Sequence, residues 1–309
     1  MVALDFGLMI APTPRGGTLD AMRAANDRLL EAATTHGMSA WVIDHFQFDQ
    51  QPIFECFTFL AHQSGRFPGL RWGTLVLGQG YRNPALTAKI AATLQHHAGG
   101  GFVCGIGAGW KEDEFRAYGY PFPPARERIA QLDEAVQIMR RMWTEPGPVS
   151  FAGEHYQVTN AYCEPRPDPA PILMIGGAGE QRTLRVVARH ADWWNADYYT
   201  PDDYGRKLDV LRDRCREIGR DPDSVVPTYY AGVSISYDER TLIRQPPVAS
   251  RPNMMVLSGT PDEVTAQLEQ FAALGVALVQ INFLDFPRST ESLDLFVREV
   301  LPRFTRKGI

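Results

Sequence analysis

Short apolar runs rich in β-branched and aromatic residues alternate along this chain with longer stretches whose apolar positions recur at three- and four-residue intervals. These are the patterns of buried strands and amphipathic helices. "ALDFGLMI" is the first run, and residues 18–36 then carry Leu19, Met22, Leu29 and Leu30 at helical spacing. "SAWVIDHF" predicts a second strand, followed by a helix over 52–65, and "LRWGTLVLG" predicts a third. "NPALTAKIAATLQHHAGG" reads as a helix that starts at Asn83-Pro84 and stops on glycine. "GFVCGIGAG" is the fourth strand, and the proline-rich "YPFPPARER" delays its long helix to about 125–143. The rhythm then breaks, and "VSFAGEHYQV" suits a hairpin turning near Gly153. Four more pairs follow: "PILMIGG" with a helix from Glu180, "ADWWNAD" with one from about Pro201, "VVPTYYAGVSIS" with one from Thr260, and "ALVQINFLD" with one from Ser289.

Eight strand–helix pairs with near-continuous apolar strands need cover on both sheet faces, which predicts a closed (β/α)8 TIM barrel in the α/β class. An open doubly wound sheet is the structural alternative. No composition shift marks a linker, so residues 1–309 are expected to form one domain, with insertions at about 110–124, 146–168 and 236–256.

Composition narrows the function classes. The chain is 44% hydrophobic and 22% charged, and no apolar run approaches the roughly 18 residues that span a bilayer, so membrane association is not expected. Its first residues, "MVALDFGLMIAPTPRGG", read as a strand and not a signal peptide, which points to the cytoplasm. Cys56, Cys104, Cys163 and Cys215 form no CxxC and are expected as free thiols. A formal charge of −5 argues against general nucleic-acid binding. His96 and His97 end a helix whose dipole already favours cations, so no metal site is expected there.

The glycines of "CGIGAGWKEDEF" imitate a dinucleotide fingerprint. Counting G-x-G-x-x-G from Gly105, however, the third glycine position holds Trp110, and from Gly107 it holds Glu112. Three strand–helix patterns also precede this turn, so the Rossmann reading fails. In a barrel, active sites lie at the C-terminal strand ends. Those ends carry Asp44 and His45 (second strand), Gly105 to Trp110 (fourth) and Gly176 to Gly179 (fifth), then Asn195 and Asp197 (sixth) and Asn282 and Asp285 (eighth). The fifth-strand glycines precede a helix whose N-terminus attracts phosphate, which predicts a phosphate-bearing cofactor.

"WVIDHF", "YRNPALTAKIAATL", the block from Cys104 to Val158 and "PILMIGGAGEQRTLRVVARHADWWN" resemble the bacterial-luciferase-like superfamily, most of all its branch that uses the deazaflavin coenzyme F420. The likeness runs from about residue 3 to 200 and more weakly to the end. It implies an isoalloxazine-type ring in the barrel mouth and hydride chemistry at its C5. It implies catalytic roles for His45 and Asp44, with Asp44 also beside the ring; ring contacts at Gly105, Gly107 and Gly109; and a phosphate turn at Gly176, Gly177, Ala178 and Gly179. A non-proline cis peptide backing the ring is implied at Leu75-Val76. Sugar-phosphate dehydrogenases of this branch carry a glutamate straight after the fourth-strand glycines and a tryptophan four residues after the histidine. This chain has Trp110 and Asp49 there. Trp110 and Phe48 would therefore line a more apolar substrate pocket.

Asp44 is expected to orient His45 or bind the ring. Glu112 and Glu114 are alternative acids but, at the start of an insertion, are expected to be solvated; Arg82, Lys89, Arg126 and Arg128 are candidates to meet the acidic tail of a deazaflavin coenzyme, each taken singly being expected on a solvated helix face. The expected function is hydride transfer between reduced F420 and a small, fairly apolar substrate with an activated C=C, C=N or C=O bond, His45 handling the proton. A flavin mononucleotide (FMN) monooxygenase using oxygen, or a non-catalytic flavin-binding protein, are the alternatives. A homodimer and a separate reductase are the partners this implies.

Overall fold

The computed structural model describes residues 2–10, 18–48, 52–246 and 253–309. Eight parallel strands close on themselves: β1 (Asp5–Met9), β2 (Ser39–Val42), β3 (Trp72–Thr74), β4 (Phe102–Gly107), β5 (Ile172–Gly176), β6 (Trp193–Asp197), β7 (Val226–Ile235) and β8 (Leu278–Phe283). Each pairs with the next, and Leu278↔Asp5 to Ile281↔Leu8 joins β8 back to β1, so the sheet is a barrel and not an open doubly wound sheet. Chain neighbours β7 and β8 meet over six residue pairs, Thr228↔Leu278 to Val233↔Phe283.

Every residue of β2, β4 and β8 is buried, because lumen and helix layer cover the two faces. In the lumen, Trp41, Val103, Met174, Trp193 and Leu278 pack together. Trp41 fits because β1 and β3 pass it with glycines: a Cβ on Gly7 would lie 2.2 Å from its Nε1, and one on Gly73 2.4 Å from its Cζ3. Above them Asn195 donates to Thr228 Oγ1 at 2.9 Å and Gln280 Oε1 at 3.0 Å, which satisfies these buried polar groups internally.

Several helices begin where the sequence offers caps. Thr18 accepts from Ala21 N at the head of Leu19–His36, Asn83 accepts from Ala85 N before Pro84–His97, and Thr260 and Glu263 form a capping box at Pro261–Ala273. The hairpin lies at Val149–Ala152 and Gln157–Ala161, and Glu134 pins its turn by accepting the amides of Glu154, His155 and Tyr156. All four cysteines are buried free thiols.

Three boundaries differ from expectation. The second helix starts at Cys56, not near Pro52, because extended Glu55 caps it by accepting from Thr58 N. The helix expected from Glu180 starts at Thr183, because Gly177 is tied to β6 at φ 117° and holds the intervening residues as a turn. The insertion after β4 contains a helix of its own, Glu112–Ala117, long before Ala125. Within the insertion after β7, residues 247–252 lie outside the described ones; Leu257–Gly259 at its end adds a short strand beside β7.

Candidate active site

His45 stands three residues past the end of β2, on the loop that leaves Val42. Its Nδ1 lies 2.8 Å from Glu114 Oε2, and Tyr81 donates its hydroxyl to the same oxygen at 2.7 Å. The backbone amides of Phe46 and Gln47 both donate to Glu114 Oε1. Glu114 is thus fully buried, with 0% exposure, and the expectation that it is solvated is corrected. The short helix makes the difference: of its three first-turn acids, Glu112 and Asp113 face water, while Glu114 turns inward beside buried Phe115. Burial works to raise the Glu114 carboxyl, but the bonds from His45 and Tyr81 and the amide of Gln47 prevail and hold it down at about 2. Burial and the bond to Glu114 push the Tyr81 hydroxyl well above the ordinary phenol range.

Asp44 does not orient His45. Its carboxylate is buried, accepts from Gly78 N at 3.0 Å, and takes Arg82 through both oxygens at 2.7 and 2.9 Å. Arg82 also bonds Glu55 Oε1 at 2.7 Å and lies over the Phe57 ring, so it is an internal cation and not a solvated helix residue. Burial disfavours the Arg82 charge, but the Asp44 and Glu55 carboxylates more than offset this and raise its pKa. Of the other cations, Lys89 bonds the Glu164 carbonyl and Arg128 packs on Phe122 and bonds the Pro123 carbonyl, whereas Arg126 is exposed.

His45 is walled by aromatic rings. Phe48 lies 4.6 Å from it centroid to centroid, and Trp110 5.7 Å away at a T-shaped 75°. Trp110 is 54% exposed although it is large and apolar, so one face of this corner is open. Asp49, the next candidate along the chain, lies outside the described residues.

The glycines divide by role. Gly105 is a packing residue: a Cβ there would sit 2.0 Å from the Thr74 carbonyl oxygen, and its amide donates to Thr74 Oγ1. Gly109 adopts φ 78° against the Phe115 ring. Gly107 and Gly176, in contrast, flank Val76 from two strands, each with a Cβ position 3.0 Å from a Val76 methyl. The Leu75-Val76 peptide is cis, at the position the family resemblance implies. Val76 therefore stands as a partly exposed apolar platform between the ends of β4 and β5.

The turn after β5 has the opposite character. Gly177 donates its amide to the Asn195 carbonyl at 3.0 Å and accepts from Trp194 Nε1 at 2.9 Å, so it is an anchor to β6. From Ala178 to Thr183, among the described residues, no backbone amide donates to a protein acceptor; the first to do so is Leu184, to Gly179 O. The remaining strand-end polar residues separate. Asn195 and Asn282 are buried in the barrel, Asp285 accepts from Ser292 N, and Asp197 ends β6. No cluster of three or more metal-binding side chains occurs among the described residues.

Sequence comparison with this geometry in hand places the chain in a family: the luciferase-like monooxygenase profile matches residues 4–245, and the chain belongs to that family. A phthiodiolone/phenolphthiodiolone dimycocerosates ketoreductase of Mycobacterium kansasii is 34% identical over 190 residues, covering 60% of this chain and 50% of the ketoreductase. The chain thus spans about half the length of the curated ketoreductases it matches. An F420-dependent glucose-6-phosphate dehydrogenase of Intrasporangium calvum is 27% identical over 310 residues, covering 85% of this chain and 89% of that protein. An F420-dependent secondary alcohol dehydrogenase, solved with an F420-acetone adduct, superposes with a TM-score of 0.79 at 19% identity, covering 96% of this chain and 98% of the other. At that identity the superposition speaks for the fold.

Proposed function

We propose that this chain is an F420-dependent oxidoreductase acting on a small, fairly apolar carbonyl compound or the corresponding alcohol. One observation carries the reading: at a C-terminal strand end, His45 is held through Nδ1 by Glu114 while its ring meets Phe48 and half-exposed Trp110. An ionisable ring between apolar walls suits a substrate with one reacting oxygen and hydrocarbon flanks. The names of the ketoreductase and F420-dependent relatives favour C=O over the C=C and C=N bonds that the same pocket admits.

The residues present fit the cofactor. Val76, with Gly107 and Gly176 clearing the space beside it, offers a flat apolar backing to a ring. The unpaired amides from Ala178 to Thr183, ahead of Thr183–His190, offer donors to a phosphate. When bound, the deazaflavin supplies or accepts a hydride at C5. In the reducing direction His45 gives a proton to the substrate oxygen as the carbonyl carbon gains the hydride, and in the oxidising direction it takes that proton back. Phe48 and Trp110 restrict water around the reacting oxygen. Asp44, saturated by Arg82 and Gly78, keeps the loop in place and leaves the proton work to its neighbour.

The family profile is named for monooxygenases, which keeps FMN with oxygen as the second reading. Titration with F420 and FMN, each oxidised and reduced, followed by absorbance and fluorescence, separates the two. Tighter binding of F420 and ketone reduction without oxygen consumption are expected. Tighter FMN binding with oxygen uptake would overturn the proposal, and binding without turnover of any carbonyl or alcohol would favour a non-catalytic protein. A homodimer, a separate cofactor-reducing enzyme and cytoplasmic residence belong to the proposal on the family resemblance; no described helix is long and apolar enough to cross a membrane.

A further inference from the structure

We infer that Glu114, seconded by Tyr81, is the positioning residue of this site: it fixes His45 in the Nδ1–H tautomer and so turns a bare Nε2 to the substrate. The argument is one of counting hydrogens. Glu114 is wholly enclosed and receives four donors: the Phe46 and Gln47 amides on Oε1, and His45 Nδ1 and the Tyr81 hydroxyl on Oε2. The two amides on Oε1 cannot act as acceptors, so that oxygen carries no hydrogen. The two partners on Oε2 then share one acceptor, and the arrangement is satisfied only when Tyr81 points its hydroxyl hydrogen, and His45 its Nδ1 hydrogen, at the carboxylate. An ionised carboxylate has no hydrogen to offer a bare Nδ1. A neutral His45 must therefore carry its single hydrogen on Nδ1, which leaves Nε2 as a proton acceptor; once Nε2 is protonated, the same carboxylate faces the imidazolium.

The placement explains why the insertion after β4 belongs to the site. Lys111–Ala117 brings a carboxylate from one strand end under the histidine of another, and Tyr81 reaches it from the loop after β3. Three loops thus meet on one carboxylate, and the ring orientation depends on all of them. The buried Glu114 acts through His45 instead of on the substrate.

This inference rests on the proposed role of His45 but is testable without cofactor. Nitrogen-15 NMR of histidine-labelled protein, with the His45 signal assigned by its loss in His45→Asn, reads the tautomer directly. In the wild type the neutral ring is expected as Nδ1–H. In Glu114→Gln, whose amide can donate as well as accept, the population shifts toward the Nε2–H form that free imidazoles prefer. With reduced F420 and a ketone, kcat falls roughly ten- to a hundredfold while F420 affinity stays within a few-fold. Tyr81→Phe removes one donor, and is expected to keep the tautomer and hold kcat within roughly fivefold. An Nε2–H wild type overturns the inference whatever the variants do. So does a Glu114→Gln protein that loses turnover with an unchanged tautomer, since Glu114 would then be structural only. If Glu114→Gln does not fold, the wild-type spectrum and Tyr81→Phe still decide. Should the protein prefer FMN, the proposed cofactor fails while the tautomer result stands.

Discussion

Two loops at the same end of the barrel are built on opposite terms. At the His45 corner the buried polar groups of Asp44 and Glu114 have protein partners: Asp44 is closed by Arg82 and Gly78, and Glu114 by His45, Tyr81 and two amides. In the turn after β5, a run of amides from Ala178 to Thr183 has none among the described residues. Saturation fixes a ring in one orientation before any ligand arrives, whereas unspent donors wait for an anion. On the proposed reading, the geometry of the first corner serves proton transfer and the open amides of the second serve binding. A variant at one corner should accordingly change turnover or stability, and a variant at the other should change affinity.

The largest effect is expected from Arg82→Met. It strands a buried carboxylate that now shares two bonds with the guanidinium, and breaking such a pair costs about 3–5 kcal/mol. Urea unfolding of the purified variant reads it, and a loss below about 1 kcal/mol would mean that water already solvates Asp44. Next comes His45→Asn. Turnover should fall by roughly 10²-fold or more while F420 affinity stays within a few-fold, because proton transfer alone is removed. If turnover persists on a true substrate, the first corner is scaffold and the contrast fails.

The second corner is tested by adding a charge to it. Gly177 is a poor place, since its φ of 117° strains any side chain and its amide and carbonyl are both committed to β6. Ala178→Asp keeps an allowed backbone and sets an anion beside the open amides. Two unit charges about 4 Å apart at an effective dielectric near 20 repel by about 4 kcal/mol, and half of that still weakens cofactor binding more than tenfold. Circular dichroism first confirms folding, and titration then measures affinity. Unchanged affinity would place the phosphate elsewhere. The smallest signal is a slope. Glu114 falls from an ordinary 4.5 to about 2 on folding, so its stabilisation is complete above 4.5 and is lost as pH drops through that window toward 2. Between pH 5 and 2 the wild type should lose stability more steeply than Glu114→Gln, by at most the roughly 1.4 kcal/mol per pH unit that one proton imposes.

The barrel was legible because its strands are apolar on both faces and several of its helix starts, such as those at Thr18, Asn83, Thr200 and Thr260, carry side-chain caps, two signals that depend on local sequence alone. His45, Phe48 and Trp110 could be brought together because strand ends share one face of a barrel. Glu114 could not, since it sits among Glu112 and Asp113 in a run whose composition reads as solvated. Phe115, the one large apolar residue of that short helix, marks the face that must turn to the core, but Glu112 lies about 60° and Glu114 about 100° around the helix from it, so helical spacing does not single out Glu114. Arg82 was misplaced for a related reason: it precedes the Asn83 cap, and so belongs to the loop and not to the helix face.

The exposure of Trp110 has an optical consequence. The chain has six tryptophans, and the other five, Trp41, Trp72, Trp143, Trp193 and Trp194, are all buried. Any emission that an aqueous quencher such as iodide can reach therefore originates next to the His45 ring, 5.7 Å away. The protein carries its own gauge of occupancy at that corner: a molecule settling against the indole would shield it, and the fraction of light that iodide extinguishes would shrink accordingly.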